Sequence, residues 1–557
     1  MNHCLAIACV VFAFGCSSST PSATPDAAVP DAPPPLAPLP EPQAVETEQF
    51  SSGTFCGQCH LKGTSDTPAM TTASGADVSP VNLWRGSMMA LASRDPFYFA
   101  VFEHEIAENP GAKSEIEAVC TRCHAPAGVI ASERGGEKLS FEEITSGTST
   151  NAAIGRDGVT CSFCHQIRDN NLGTDSSFTG GYTVGFARKI FGPHANPRTS
   201  PMEMFIRYTP EYSEHIKSSA LCATCHTVIV PGSNGQEVVE QAPYLEWLNS
   251  TYNNESDETS GISCQGCHMP RVDEQGEIIA TAIAKFPDDL PTRGRYSQHT
   301  FVGGNSFMLR LMAAYDEWVS SNIPPAVLEA NARLSEEHLG KAATLEIVTA
   351  ERSADTATVR VQVNNRSGHK LPTGYPTRRV WLHFTARDSA GQVVFESGGY
   401  GSDGRIAGLS SETDTRLHYN EIDSAEKVQI WQQILVDADD KLTLRALDVA
   451  AVAKDNRILP LGWSNSHAQI DRIRAVGTDS DNNFIAGSDA LTYRFPYTGN
   501  SELSISAELV YQSVPPKVID TVAEFRTAAS ERFVNMARTV DNLPILLANV
   551  EGTLSSP

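Results

Sequence analysis

Ten of the thirteen cysteines fall in five Cys-x-x-Cys pairs, and a histidine follows each pair at once. The segments are Cys56-Gly-Gln-Cys59-His60, Cys120-Thr-Arg-Cys123-His124, Cys161-Ser-Phe-Cys164-His165, Cys222-Ala-Thr-Cys225-His226 and Cys264-Gln-Gly-Cys267-His268. Two thiols at this spacing can add to the two vinyl groups of one porphyrin, and the next residue then lies under its iron. That chemistry is c-type haem attachment, with His60, His124, His165, His226 and His268 as proximal ligands. Structural zinc sites usually pair two such knuckles and do not need a histidine after every second cysteine. A thioredoxin-type redox pair would occur once, beside a βαβ pattern that is absent here. Disulfides would leave five histidines without a purpose. The expectation is five haem c groups, each with one iron.

Each iron has a sixth position. A second histidine there lowers the potential, a methionine raises it, and an open position admits substrate. The chain has 15 histidines; without His3 and the proximal five, nine remain. Five of them are the expected distal ligands. His104 follows Phe102 in an amphipathic stretch, and His194 closes the rigid Phe191-Gly192-Pro193-His194 loop. His215 lies seven residues before Cys222, two helical turns away if the stretch is helical. His299 precedes Gly303-Gly304, which permit close backbone approach. His369 sits in the tight loop Ser367-Gly368-His369-Lys370-Leu371-Pro372-Thr373-Gly374. For each, a surface or hydrogen-bonding histidine is the competing reading. His383 is expected to pack within a strand, and His338, His418 and His467 have no assignment. Met88 and Met89 are alternative axial ligands, although methionines at helical spacing are usually core.

These groups need elements to hold them. The 557-residue chain carries 66 Asp+Glu against 42 Lys+Arg, too acidic a balance for nucleic acid. No apolar run reaches the roughly 18 residues of a membrane span. Residues 4–14 form a short apolar stretch followed by Gly15-Cys16, a lipoprotein-type signal over 1–16, although Ala13 stands where Leu is usual and no Lys or Arg precedes it. Export agrees with haem attachment on the outer side of the inner membrane. The expected place is the periplasm or the outer membrane or cell surface, with a lipid at Cys16 as the sole membrane contact. Residues 17–48 read as a Pro/Ser/Ala tether.

The fold class expected is α+β. A haem domain of short helices and irregular chain spans 49–305, with helices at 82–92, 96–108, 114–124, 201–207, 211–225 and 242–251. Successive motifs start 64, 41, 61 and 42 residues apart, which suggests a duplicated pair. A helical connector follows at 306–342. From 343 the apolar period becomes two, as in Val359, Val361 and Val363, which predicts an antiparallel β-sandwich over 343–515. A terminal helix and tail occupy 516–557.

Residues 50–305 resemble the cytochrome c-554 (cytochrome c-552/4) family of multihaem cytochromes. The resemblance rests on the Cys-x-x-Cys-His array, Leu221-Cys222 preceded by His215, the Phe191–His194 loop and the His299 Gly-Gly segment. The namesake has four motifs where this chain has five. The β-half is similar to the extra domain of some secreted multihaem cytochromes, through the 369–379 and 454–460 strings. The family implies closely stacked haems passing electrons between redox partner proteins of the cell envelope.

The first functional expectation is therefore an exported electron relay with no catalytic residue. The alternative is an oxidoreductase acting on a small nitrogen or sulfur compound at one five-coordinate haem. A binding module with incidental haems is third. Arg378 and Arg379 could pair haem propionates or form surface ion pairs. Asp479-Ser480-Asp481-Asn482-Asn483 begins like a calcium loop but lacks the Gly and Glu that must follow, so a solvated loop is expected.

Overall fold

The computed structural model describes residues 37–255, 261–353, 355–409 and 413–555. The signal segment, Cys16 and most of the 17–48 stretch lie outside the described residues. From Pro38 onward the chain forms one compact unit. The end of the expected tether is packed on that unit. Leu39 is buried beside Trp318 and donates its N–H to the Trp318 carbonyl at 3.0 Å, while buried Arg94 donates to the Pro40 carbonyl at 2.9 Å. No helix among the described residues is long and apolar enough to cross a membrane.

The chain is α+β. Its first half is short helices and loops with two small ribbons, β1 (Lys189–Gly192) with β2 (Thr209–Tyr212) and β3 (Val228–Pro231) with β4 (Glu237–Gln241). Helices run over Pro80–Arg85, Pro96–Glu108, Lys113–His124, Ser200–Ile206 and Pro243–Leu248, close to the expected positions. The expected helix over 211–225 is not there. β2, a 3-10 turn over Glu214–Lys217 and a helix over Ser219–His226 replace it. The Ser218 side chain accepts from the Ala220 N–H and starts that helix afresh, so His215 is not two helical turns below Cys222.

The second half is a two-sheet sandwich built from β5 (Ala343–Arg352), β6 (Thr356–Asn365), β7 (Arg379–Arg387), β8 (Val393–Ser397), β9 (Glu421–Ile422), β10 (Ile430–Val436), β11 (Ala451–Asp455), β12 (Ser488–Pro496), β13 (Leu503–Gln512) and β14 (Ile545–Leu554). One sheet runs β11-β10-β7-β13-β14, with β8 also on β7; the other runs β5-β6-β12-β9. Alternation along β6 sends Val359, Val361 and Val363 inward, into one core with Leu382 and Phe384 of β7 and Ile505 and Ala507 of β13. Phe384 stacks face to face on Tyr493 across the gap, with centroids 3.9 Å apart. One pair departs from the antiparallel expectation, since β9 runs parallel to β12.

The C-terminal segment differs more. The expected helix breaks into Pro516–Ala523 and Ala528–Ala537, with Arg526 at φ 53 between them. The expected tail is β14, which pairs with β13 and buries Leu547 and Leu554. Both helices share a core with Phe99, Met308, Leu311 and Leu328, joining the connector helices Ser306–Ala314 and Pro325–Leu339 to the first half.

Candidate haem-binding site

All five proximal histidines line one cavity of about 2220 Å³. A pocket for one small molecule is about 300–1,000 Å³, so this space suits several large groups. Nine of the ten motif cysteines also face it, and all ten are free thiols. Each motif sits on a short helix or helix end: Gly53–Gly57, Lys113–His124, Cys161–Cys164, Ser219–His226 and Cys264–His268.

Four of the five proximal rings are held in the same way. Nδ1 donates to a backbone carbonyl: His60 to Ile283 (2.8 Å), His124 to Ala92 (2.8 Å), His165 to Phe191 (2.7 Å) and His268 to Val302 (2.6 Å). This fixes the tautomer and leaves Nε2 with a lone pair, as metal-bound histidines require. Burial lowers the pKa of His124 and His226 to about 4, so the rings stay neutral and able to ligate.

Two of the expected distal residues stand opposite proximal ones. The centroids of His165 and His299 are 6.3 Å apart with planes 23° from parallel; those of His268 and His369 are 6.4 Å apart at 14°. An imidazole nitrogen bonds a metal at about 2.0 Å and sits about 1.2 Å from its ring centre, so two rings trans across one metal have centres about 6.4 Å apart. His299 Nδ1 donates to the Ser297 carbonyl at 3.1 Å and His369 Nδ1 to that of Lys370 at 2.9 Å, which again leaves Nε2 free.

His194 also lines the cavity, and its ring has no hydrogen bond among the described residues. His215 lines it too, but both its nitrogens are engaged. Nε2 donates to the Ile167 carbonyl at 2.8 Å, so Nδ1 must accept from the Ser213 hydroxyl at 2.6 Å. His104 is brought elsewhere. Its ring stacks on Phe525, 3.8 Å between centroids, in the helical core. His338, unassigned from sequence, faces the cavity from the last turn of Pro325–Leu339, with its centroid 5.2 Å from that of His268. Only the fold could bring it there. His383 lies in a strand, β7, as expected, but instead of packing in the core it stands on the sheet surface bonded to Glu396 and Glu508. Met88 and Met89 line the cavity.

His369 reaches the cavity because the sandwich is clamped to the first half by a buried ionic cluster. Glu246, on the helix Pro243–Leu248, accepts from the Lys370 N–H at 3.1 Å and from the Thr373 hydroxyl. Its other oxygen pairs with Arg457 at 2.9 Å; Arg457 grips Asp455 through two bonds of 2.7 Å, and Lys370 Nζ meets Asp455 at 2.7 Å. Each of these four charged side chains is buried. The two strings of the β-half, at 369–379 and 454–460, together form the sandwich side of this clamp, facing Glu246. Arg378 lines the cavity and donates to the Thr373 carbonyl at 2.7 Å, whereas Arg379 is buried in β7 against Gln512.

The arrangement has a known counterpart in fold. Compared with solved structures, the chain matches a penta-haem cytochrome c552 from Thermochromatium tepidum, with a TM-score of 0.53 and 16% identity, over 91% of this chain and 100% of that one. The chain is thus similar in fold to that protein. A match over 91% of the chain must include the sandwich as well as the motif-bearing half. No family model matches, and no curated protein matches.

The second motif has different surroundings. Tyr98 stacks on His124 with centroids 3.7 Å apart, and its hydroxyl is buried without a hydrogen-bond partner. Glu105, Glu240 and Tyr375 line the cavity on the same side, each electrostatically coupled to another of the group or to Cys120. Burial, then Glu105, pushes the Glu240 carboxyl up to about 7.

Proposed function

We propose that the protein is a five-haem electron carrier. The observation that carries this reading is the two histidine pairs at 6.3 and 6.4 Å, each with Nδ1 anchored and Nε2 free. The residues fit the group: ten free thiols, five neutral histidines and one shared cavity. Bound c-type haem supplies one-electron redox chemistry. The chain's part is to attach, ligate and space the groups. His165 with His299 and His268 with His369 would each hold one iron, and Arg378, which lines the same cavity, would neutralise a propionate. The thiols of Cys56 and Cys161, of Cys123 and Cys225, and of Cys222 and Cys264 are near enough to perturb one another's ionisation. That proximity supports a branched relay, the first motif to the third and the fourth to both the second and the fifth, with the charge of Cys225 felt at Cys164 of the third. The protein acts outside the inner membrane, anchored at Cys16, between redox proteins of the envelope.

A second reading rests on one count. Among the described residues, His194, His299, His338 and His369 offer a free nitrogen to the cavity, four for five irons. The second motif, with His104 turned away and Tyr98 and Glu240 nearby, is then the place for an open iron and a small nitrogen- or sulfur-containing substrate. EPR of the oxidised, haem-loaded protein tests both readings. Five low-spin bis-histidine signals support the carrier alone. One high-spin haem that shifts with nitrite or hydroxylamine supports the oxidoreductase. Mostly high-spin haems would refute the axial pairs.

A further inference from the structure

The strand period separates Arg378 from its neighbour Arg379. β7 and β13 are paired so that Arg379 stands opposite Gln512 and Val380 opposite Tyr511. Side chains alternate between the two faces of such a pair. Arg379 and Gln512 share one face, where the guanidinium donates to Gln512 Oε1 at 2.7 and 3.0 Å. Arg378, just before β7, falls on the other face with Tyr511 and Ser513, and all three line the large cavity. The Thr377 hydroxyl ties these strand ends together by donating to the Ser513 carbonyl at 2.8 Å.

The polar groups of this corner are not satisfied by the chain. Tyr511 and Ser513 are 2% and 4% exposed, and neither hydroxyl has a hydrogen-bond partner among the described residues. Burying a hydroxyl in that state is costly. Arg378 donates to the Thr373 carbonyl at 2.7 Å, and no carboxylate among the described residues pairs with it. Burial raises the Tyr511 phenol pKa, and the Arg378 charge is near enough to oppose that rise. The chain opposite leaves room for the hydroxyl. A Cβ on Gly304 would lie 2.5 Å from the Tyr511 oxygen, so only glycine lets the backbone pass there. Gly304 follows Val302, whose carbonyl anchors His268, and Arg378 is bonded to the loop that carries His369. The corner therefore lies beside both histidines of one pair.

Two hydroxyl donors and a cation without an anion make a seat for a carboxylate. We propose that Tyr511, Ser513 and Arg378 hold a propionate of the haem at the fifth motif, so that the sandwich raises the potential of that haem. The proposal rests on the carrier reading, with His268 and His369 on one iron. An unpaired propionate puts negative charge near the iron and favours its oxidised state; a guanidinium and two hydroxyls offset that charge. The competing occupant is water, which would satisfy the hydroxyls but leave Arg378 without a counter-ion.

The test is spectroscopic redox titration at alkaline pH, with resonance Raman of the propionate bending band, on the full haem-loaded chain. His369→Met marks the fifth haem as the component that moves upward. Tyr511→Phe and Arg378→Leu should each move that same component downward, Arg378→Leu further, and each should shift the propionate band. Arg378→Lys, which keeps the charge, should move it less than Arg378→Leu. A cation also acts at a distance, so Tyr511→Phe is decisive; it keeps the ring, and an EPR spectrum like the parent's reports that it has folded. If Tyr511→Phe leaves both the marked component and the propionate band unchanged, the proposal falls and the carrier reading stands. A parent protein without low-spin bis-histidine signals would overturn the axial pair and this proposal with it.

Discussion

At the scale of single residues, each histidine's role follows from what its other nitrogen does. Where Nδ1 is tied to a carbonyl, as in His299 and His369, Nε2 is left for a metal; where both nitrogens are tied, as in His215, none is left. His299→Met and His369→Met should each convert one bis-histidine haem to a histidine–methionine haem of higher potential, leaving the others unchanged. Spectroscopic redox titration reads this as a single component moving upward. A second residue-scale prediction concerns Asp157, which accepts the Gly53 N–H at 2.8 Å and whose carboxyl burial pushes up to about 6. Its folded pKa lies above the unfolded one near 4, so its contribution to stability is full below about pH 4 and lost as pH rises through about 6. Asp157→Asn should remove up to about 3 kcal/mol of that slope, read from denaturant melts at pH 4.5 and pH 7.5. An unchanged slope would place the carboxyl's pKa at its ordinary value.

At the scale of elements, short pieces of chain carry ligands that only their partners orient. The third and fifth motifs are approached by chain held in one manner. Trp84 Nε1 donates to the Val159 carbonyl and Trp247 Nε1 to that of Ile262, both at 2.9 Å and both two residues before the first cysteine. This agrees with the duplicated pair that the motif spacing suggests. The His369 loop is held by the Glu246–Arg457–Asp455–Lys370 cluster. Removing one member leaves buried charge unpaired, so Arg457→Leu should cost about 3–5 kcal/mol in guanidinium melts. Glu246→Gln, which keeps shape and loses charge, should mainly disturb the haem that His369 serves. An EPR spectrum identical to the parent in Glu246→Gln would mean the loop is held by the sandwich alone.

At the scale of the molecule, the two halves share a core. The helices between β13 and β14 pack with Phe99 and Met308 from before the sandwich, and the sandwich delivers His369 to the motif-bearing half. A chain ending at Gly340 should therefore fail to accumulate as a soluble five-haem protein, checked by haem staining and size exclusion. A soluble, fully loaded truncation would show that the first half folds alone. By itself the sequence determined where the attachment motifs stand, because Cys-x-x-Cys-His is a local pattern that five contiguous residues complete. It also determined the strands, whose alternation of Val359, Val361 and Val363 is local too. Only the tertiary structure decided which histidines face the motifs across the cavity. His369 and His338 lie far along the chain from the motifs they face, and His104 and His215 carry the same side chain with its nitrogens spent or turned away. Ring orientation depends on which carbonyl a folded neighbour presents, and no spacing along the chain encodes that.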